Sequence, residues 1–239
     1  MKDEEVDRVL NRAGDAAVSP EPEQLKRVTA SVQSSLRPVR PLPPAWIIAA
    51  GLTFICAGVS FLGAARVGFA GFERMDLLER VLIFATLVAL TWTLARHFVR
   101  EMIPASLLRV SAGMLLVLSC AALLVLFGLL FHDHQVTDFV SIGVACLITG
   151  FVYALPAGLL CWLLLRRGFA VNAVSAGLTA GALAGMAGLG VLELQCPNFE
   201  VAHLLVWHTG VVPLGSAVGA LLGWIVRRLV RTVPTRSRK

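Results

Sequence analysis

Charged side chains are scarce in this chain, and their scarcity excludes a soluble globular domain. Asp, Glu, Lys and Arg make up 15% of the 239 residues, against 57% hydrophobic residues, whereas soluble domains carry about 25% charged residues. The mean hydropathy is +0.78. Several apolar runs reach the roughly 20 residues that a helix needs to cross a bilayer. Because these runs are continuously apolar rather than alternating, they predict a polytopic all-α membrane protein and not a β-barrel.

Cysteine pairs at the spacing of metal or redox motifs are also missing. The chain has five cysteines but no C-x-x-C pair, which argues against a zinc ribbon and against a thioredoxin-type redox centre. A membrane thiol oxidoreductase would normally use vicinal cysteines. Because the sequence also shows no Ser/His/Asp nucleophile arrangement and no glycine-rich phosphate loop, we expect neither an enzyme nor a bound cofactor.

The apolar runs lack charged residues near their centres, and no internal repeat is visible. Transporters and channels usually show intramembrane charges, repeats or broken helices in matched positions. A small transporter or channel-like protein is therefore the alternative function rather than the preferred one. No signal peptide is visible, because the chain stays hydrophilic through about residue 44, so we expect the first apolar run to remain as an anchor.

Hydropathy predicts a bundle of six transmembrane helices. The predicted spans lie near residues 45–65, 81–95, 110–131, 142–165, 170–194 and 204–226. The second is the shortest, and we expect it to include Leu77 and Leu78 as well. They define a six-helix transmembrane domain, residues 45–226, between an N-terminal tail, residues 1–44, and a basic C-terminal tail, residues 227–239.

Lysine and arginine are distributed unevenly between the predicted loops. Fifteen of them flank the spans on the side of the two tails, and three lie on the other side, all in the first loop. By the positive-inside rule this asymmetry predicts a multi-pass protein of a bacterial inner membrane with both termini in the cytoplasm. The net charge of +6 is explained by this anchoring, so we expect contact with the lipid bilayer and no direct nucleic-acid binding.

The N-terminal tail contains two apolar stripes at helical spacing. The first comprises Val6, Val9, Leu10 and Ala13, and the second comprises Leu25, Val28, Val32 and Leu36. Neither stripe has enough apolar partners in the tail to form a core. The second stripe is therefore a candidate docking surface for another protein, and the alternative is a tail that rests on the membrane surface or is partly disordered.

Glycine recurs at every fourth position in the fifth and sixth predicted spans. The positions are Gly177, Gly181, Gly185, Gly215, Gly219 and Gly223. Such faces let helix backbones approach closely. They predict close helix packing within one bundle, with a dimer interface as the alternative.

The predicted orientation places two cysteines on the outer face. Cys146 lies about one turn inside the outer end of the fourth span, and Cys196 follows the fifth span. The outer side is oxidising, so a disulfide can form there, while thiolates with imidazoles suit zinc, cadmium or copper. A chance placement of two of the five cysteines is the third interpretation. The metal is not identified, and the possible accessory ligands on this face are His132, His134, Glu193, His203 and His208.

The same region carries a resemblance to a known family. The residues that match are Ala145-Cys146-Leu147, Leu155-Pro156, Arg166-Arg167-Gly168, Leu194-Gln195-Cys196-Pro197 and Trp207. At these positions the sequence resembles the NrsF-type six-helix membrane anti-sigma factors of bacteria. The resemblance implies that the cytoplasmic tail binds an extracytoplasmic-function sigma factor. It also implies that Cys146 and Cys196 sense oxidative or heavy-metal stress and trigger release of that factor.

Overall fold

The computed structural model describes residues 22–35, 43–103, 110–133, 138–167 and 172–232, and it divides into two units after Leu42. In the first unit, α1 spans Pro22–Ser35. Leu25 and Val28 of its predicted apolar stripe are 51% and 62% exposed. The side chain of Val32, all of Leu36 and the earlier stripe lie outside the described residues.

The second unit is a bundle of helices. They are α2 (Ala45–Val67), α3 (Ala70–Arg74), α4 (Leu77–Glu101), α5 (Ala112–Leu130), α6 (Phe139–Arg167), α7 (Ala173–Gln195), α8 (Val201–His203) and α9 (Thr209–Thr232), with a π-helical turn, Leu204–His208, between α8 and α9. Among the described residues, six segments are long and apolar enough to cross a membrane, and the sixth of them comprises α8, the π-helical turn and most of α9. The predicted all-α architecture with six spanning helices is confirmed, and the described ranges contain no β-strand.

The second span begins at Leu77, as expected from the extension of its predicted apolar run over Leu77 and Leu78. The side chain of Asp76 accepts a hydrogen bond from the backbone N–H of Glu79, and the Glu79 carboxylate accepts one from the backbone N–H of Asp76. This capping box satisfies two backbone donors at the first turn and fixes the start of α4. The short helix α3, which the sequence analysis did not predict, precedes this cap.

Helix α7 forms the centre of the bundle. Its span is 78% buried, whereas the other five are 17–28% buried. Small residues allow this position: a Cβ atom on Gly185 would lie 2.7 Å from the Cα of Val212, and one on Gly181 would overlap the carbonyl oxygen of Gly215. The glycine stripes pack within one bundle, as predicted, and the structure shows that they face each other and hold α7 against α9.

Candidate functional site

Two cysteines lie side by side at one end of the bundle. Cys146 lies near the beginning of α6, and Cys196 follows the last residue of α7. Their sulfur atoms are 3.6 Å apart, and neither is part of a disulfide. A disulfide requires a separation of about 2.05 Å, so the two groups are neighbouring thiols in contact.

Two histidines complete this arrangement. Nε2 of His203 lies 3.7 Å from the sulfur of Cys196, and the imidazole rings of His203 and His208 meet edge to face with centroids 5.0 Å apart. One potential ligand atom from each of the four residues lies within 4.8 Å of the other three. We call Cys146, Cys196, His203 and His208 the thiol–histidine cluster. Both histidines are fully buried, so protein surrounds the imidazole side of the cluster.

A carboxylate orients one of these histidines. Nδ1–H of His208 donates to Oε1 of Glu193 at 2.7 Å, and both side chains are fully buried. Nε2 of the same ring has no hydrogen-bond partner of standard geometry among the described residues, and the His208 ring interacts with the Cys196 thiol. Ionisable groups at a membrane-span end are costly to bury and usually have a partner or a role. The Glu193–His208 pair satisfies one ring nitrogen and leaves the other available.

The π-helical turn explains why both histidines reach the same place. Residues five apart in an α-helix are separated by about 140° around the helix axis. A π-helical turn closes hydrogen bonds between residues i and i+5 and so returns such residues to one face. Here the backbone N–H of Thr209 bonds to the carbonyl of Leu204, and His203 and His208 lie next to each other. An uninterrupted α-helix would have directed the two rings apart.

Close packing fixes the surroundings of the cluster. A Cβ atom on Gly143 would overlap the indole of Trp207, and the Phe139 ring lies 5.4 Å from that indole. A Cβ atom on Gly71 of α3 would lie 2.6 Å from the carbonyl oxygen of Cys196. Glycines on α3 and α6 thus let the π-helical turn and the Cys196 segment pack closely against them.

The loop that carries Cys196 is attached to the preceding loop of the same end. The backbone N–H of Val201 donates to the carbonyl of Asp133 at 2.8 Å, and the rings of Phe131 and Phe199 stack with centroids 5.1 Å apart. These contacts connect the end of α5 with the segment between α7 and α8. They hold Phe199 and Val201, the residues on either side of Glu200, against the end of α5.

The environment of Cys196 favours the protonated thiol. Its hydrogen bond with Cys146 and its burial raise the pKa of the Cys196 thiol, and the opposing effect of the hydrogen bond with His203 is smaller. Only 6% of Cys196 is exposed, whereas Cys146 is half-buried. Cys146 is therefore the more accessible of the two sulfurs.

The structure separates the predicted accessory residues into groups. His203 and His208 join the two cysteines, and Glu193 contacts the cluster through its bond to His208. His132 is exposed and is not one of the clustered ligands. His134 lies outside the described residues.

A second buried polar cluster, at the opposite end of α7, was not predicted from the sequence. Nε2–H of His97 donates to the carbonyl of Val110 at 2.9 Å, and the Ser175 hydroxyl donates to Oε1 of Glu101. Nδ1 of His97 lies 3.8 Å from the same carboxylate oxygen. The available signal was a histidine and a glutamate four residues apart at a span end, a spacing that puts both on one helix face.

Comparison with protein families identifies one match. Residues 33–229 match the family model described as NrsF, negative regulator of sigma F. The matched region includes all six spanning segments and every residue of the thiol–histidine cluster, and it begins within α1 after Leu25 and Val28. No curated protein and no solved structure matches the chain significantly.

Proposed function

The chain belongs to the NrsF family of negative regulators of sigma F, and on that premise we propose that it is a membrane-bound anti-sigma factor with a cysteine sensor. It sequesters an extracytoplasmic-function sigma factor and releases that factor when Cys146 and Cys196 sense oxidative or heavy-metal stress. The family supports the sigma-factor partner. The observation that carries the sensor is the 3.6 Å separation of the two sulfurs, which come from residues 50 positions apart.

The proposed orientation puts the sensor and the partner on opposite sides of a bacterial inner membrane. Fifteen lysines and arginines flank one side of the spans and three flank the other, which favours cytoplasmic termini. The thiol–histidine cluster then faces the outer, oxidising compartment.

An oxidant of the peroxide class would act on the sensor in two balanced steps. One thiolate attacks the peroxide O–O bond, which yields a sulfenic acid and releases water or an alcohol. The second thiol attacks the sulfenic sulfur, and water leaves as the disulfide forms. The cysteines lose two electrons and the peroxide gains them. The sulfurs of Cys146 and Cys196 must approach each other by about 1.5 Å to reach bonding distance.

Helix α7 supplies the proposed route to the other side. Cys196 follows its last residue, and Ser175 near its first residue bonds to Glu101 on α4. Because close-packed interiors transmit displacement rather than absorb it, a change at Cys196 alters the packing at the cytoplasmic end. The signal can bias release only by stabilising one of the two states more than the other.

The apolar stripe of α1 is the proposed surface for the sigma factor. Leu25 and Val28 are more than half exposed in the N-terminal unit, and Val32 and Leu36 continue the same stripe in the sequence. An amphipathic helix of this kind suits a hydrophobic groove on a partner.

The test combines binding with the cellular response. Full-length protein is co-purified with an extracytoplasmic-function sigma factor from the same bacterium, and a sigma-dependent reporter is measured with and without peroxide or cadmium. Replacing Cys146 and Cys196 by serine is expected to preserve binding and abolish induction, whereas Cys120→Ser on α5 is expected to preserve both. An unchanged response in the double variant would refute the sensor, and a full-length protein that binds no sigma factor would refute the partner.

A further inference from the structure

Two distances within the thiol–histidine cluster match those between the ligands of a four-coordinate metal site. In tetrahedral zinc sites the metal lies about 2.3 Å from sulfur and about 2.05 Å from nitrogen. Two sulfur ligands are then about 3.8 Å apart, and a sulfur and a nitrogen are about 3.6 Å apart. The sulfurs of Cys146 and Cys196 are 3.6 Å apart, and the sulfur of Cys196 is 3.7 Å from His203 Nε2. Both distances match the edges of such a tetrahedron.

The surroundings of His208 provide a second, independent observation. Its Nδ1–H donates to Glu193 at 2.7 Å, while its fully buried Nε2 has no hydrogen-bond partner of standard geometry among the described residues. A carboxylate that orients an imidazole through the nitrogen opposite the ligand atom is a common arrangement around protein-bound metals. The His208 ring interacts with the Cys196 thiol, but a thiol is a weak hydrogen-bonding group. A poorly satisfied buried ring nitrogen costs free energy, and a cation within the cluster would bind it strongly.

From this geometry we infer that Cys146, Cys196, His203 and His208 bind one zinc-class divalent cation. Glu193 acts as a positioning residue for His208. Two thiolates and two neutral imidazoles suit soft or borderline ions such as zinc, cadmium and cobalt. Binding releases the two thiol protons to solvent, so the cation and its four ligands together carry no net charge.

The site deepens the proposed sensor, and its regulatory meaning rests on that proposal, whereas ion binding rests on the geometry alone. A disulfide between Cys146 and Cys196 would remove two of the four ligands. Oxidation and ion occupancy therefore exclude each other, and a peroxide that oxidises the pair would release the ion. The same four residues would then respond both to oxidative stress and to heavy-metal stress.

The test uses the full-length protein in detergent or nanodiscs with Co²⁺ and Zn²⁺ as the probes. We expect one equivalent of Co²⁺ to give a thiolate-to-cobalt charge-transfer band with tetrahedral d–d bands, and Zn²⁺ to displace it. Peroxide should release the ion as the two thiols disappear. Cys146→Ser should weaken Co²⁺ binding more than about 100-fold, and Glu193→Gln about 10–100-fold. Cys146 is the least buried ligand, so this variant is the one best tolerated by the fold.

Matched variants separate the site from general effects. Cys120→Ser removes a half-buried cysteine elsewhere, and His97→Gln removes a buried histidine at the other end of α7. Both should bind Co²⁺ as the unmodified protein does. His203→Asn and His208→Asn should lose the tetrahedral d–d bands, with size-exclusion profiles and helicity as the folding controls.

Three results would overturn the inference. They are a protein that binds no Co²⁺, a charge-transfer band that persists without Cys146 and Cys196, and folded histidine variants with unchanged spectra and affinity. Sigma-factor binding is measured separately on the same preparation. A protein that binds Co²⁺ through the four residues but binds no sigma factor would uphold the site and refute the proposed function.

Discussion

The two ends of α7 carry similar side-chain pairs in different surroundings. His208 lies beside Glu193 at one end, and His97 lies beside Glu101 at the other, with all four side chains buried. Each histidine has one ring nitrogen without a hydrogen bond of standard geometry among the described residues, Nε2 in His208 and Nδ1 in His97. His208 lies in a cluster with two thiols, whereas Nδ1 of His97 lies 3.8 Å from the Glu101 carboxylate and its Nε2–H donates to a backbone carbonyl. A buried histidine–glutamate pair by itself therefore does not indicate a ligand site. What indicates one is the set of groups around the ring nitrogen that does not face the glutamate.

The nitrogen–oxygen distance between histidine and glutamate also differs between the two pairs. His208 and Glu193 form a 2.7 Å hydrogen bond, whereas the nitrogen–oxygen distance between His97 and Glu101 is 3.8 Å, too long for one. Glu101 instead accepts from the Ser175 hydroxyl. The polar cluster around Glu101 connects α4 with α7, whereas the Glu193–His208 pair fixes the orientation of the His208 ring.

The largest effect should come from separating α7 from α9, because both clusters depend on the placement of α7. Gly181→Leu would drive a side chain into the backbone at Gly215, and overpacking of this kind costs about 3 kcal/mol or more. We expect loss of monodisperse protein together with loss of cobalt binding. Gly51→Leu is the matched control, because no atom lies within 4 Å of a Cβ placed there. Equal behaviour of the two variants would contradict the central role of α7.

A smaller effect should distinguish the two histidine–glutamate pairs. Double-mutant cycles with His→Asn and Glu→Gln replacements, followed by thermal unfolding in detergent, measure the coupling within each pair. The 2.7 Å pair should show about 2–3 kcal/mol, as expected for a hydrogen bond to a charged group, and the 3.8 Å pair less than about 1 kcal/mol. Equal couplings would mean that the two ends are held in the same way.

Ser175→Ala should lower stability by about 1.5 kcal/mol, because it removes the hydroxyl that donates to Glu101. The cobalt spectrum and affinity should stay unchanged, since the cluster lies at the other end of α7. If the proposed route along α7 is correct, the variant should also release the sigma factor at a lower dose of oxidant. An unaltered dose response would argue against this end of α7 as part of the route.

His132→Ala should have the smallest effect. His132 is exposed and lies outside the thiol–histidine cluster, so we expect an unchanged Tm and unchanged Co²⁺ binding. A clear loss of Co²⁺ affinity would show that the loop before α6 contributes a ligand.

The sequence alone was enough for the architecture and for the common face of the two cysteines. Six apolar runs of bilayer length predict six spanning helices, and alternation of their directions puts Cys146 and Cys196 at one end of the bundle. Both conclusions depend only on properties read along the chain: the hydropathy and length of each run, and the number of spans between two residues. The glycine stripes likewise predicted close helix packing within the bundle.

The sequence could not identify which side chains contact the two cysteines. Hydropathy placed five possible accessory residues on one face, and only the fold separates His203 and His208 from His132. That separation depends on a π-helical turn at Leu204–His208 and on a glycine at position 143 that admits Trp207. Neither feature has a signature in hydropathy or spacing, because each results from how two elements pack.

The amino-acid sequence by itself determined the six spans, the common end of the bundle at which the two thiols lie and the family, because composition and order along the chain carry that information. The tertiary structure decided that the two thiols are in contact and which histidines complete the cluster. It also decided that a separate polar cluster connects α4 with the other end of α7. Distances between side chains depend on the rotation and depth of each helix within the bundle. Those are set by packing against neighbours rather than by any local pattern.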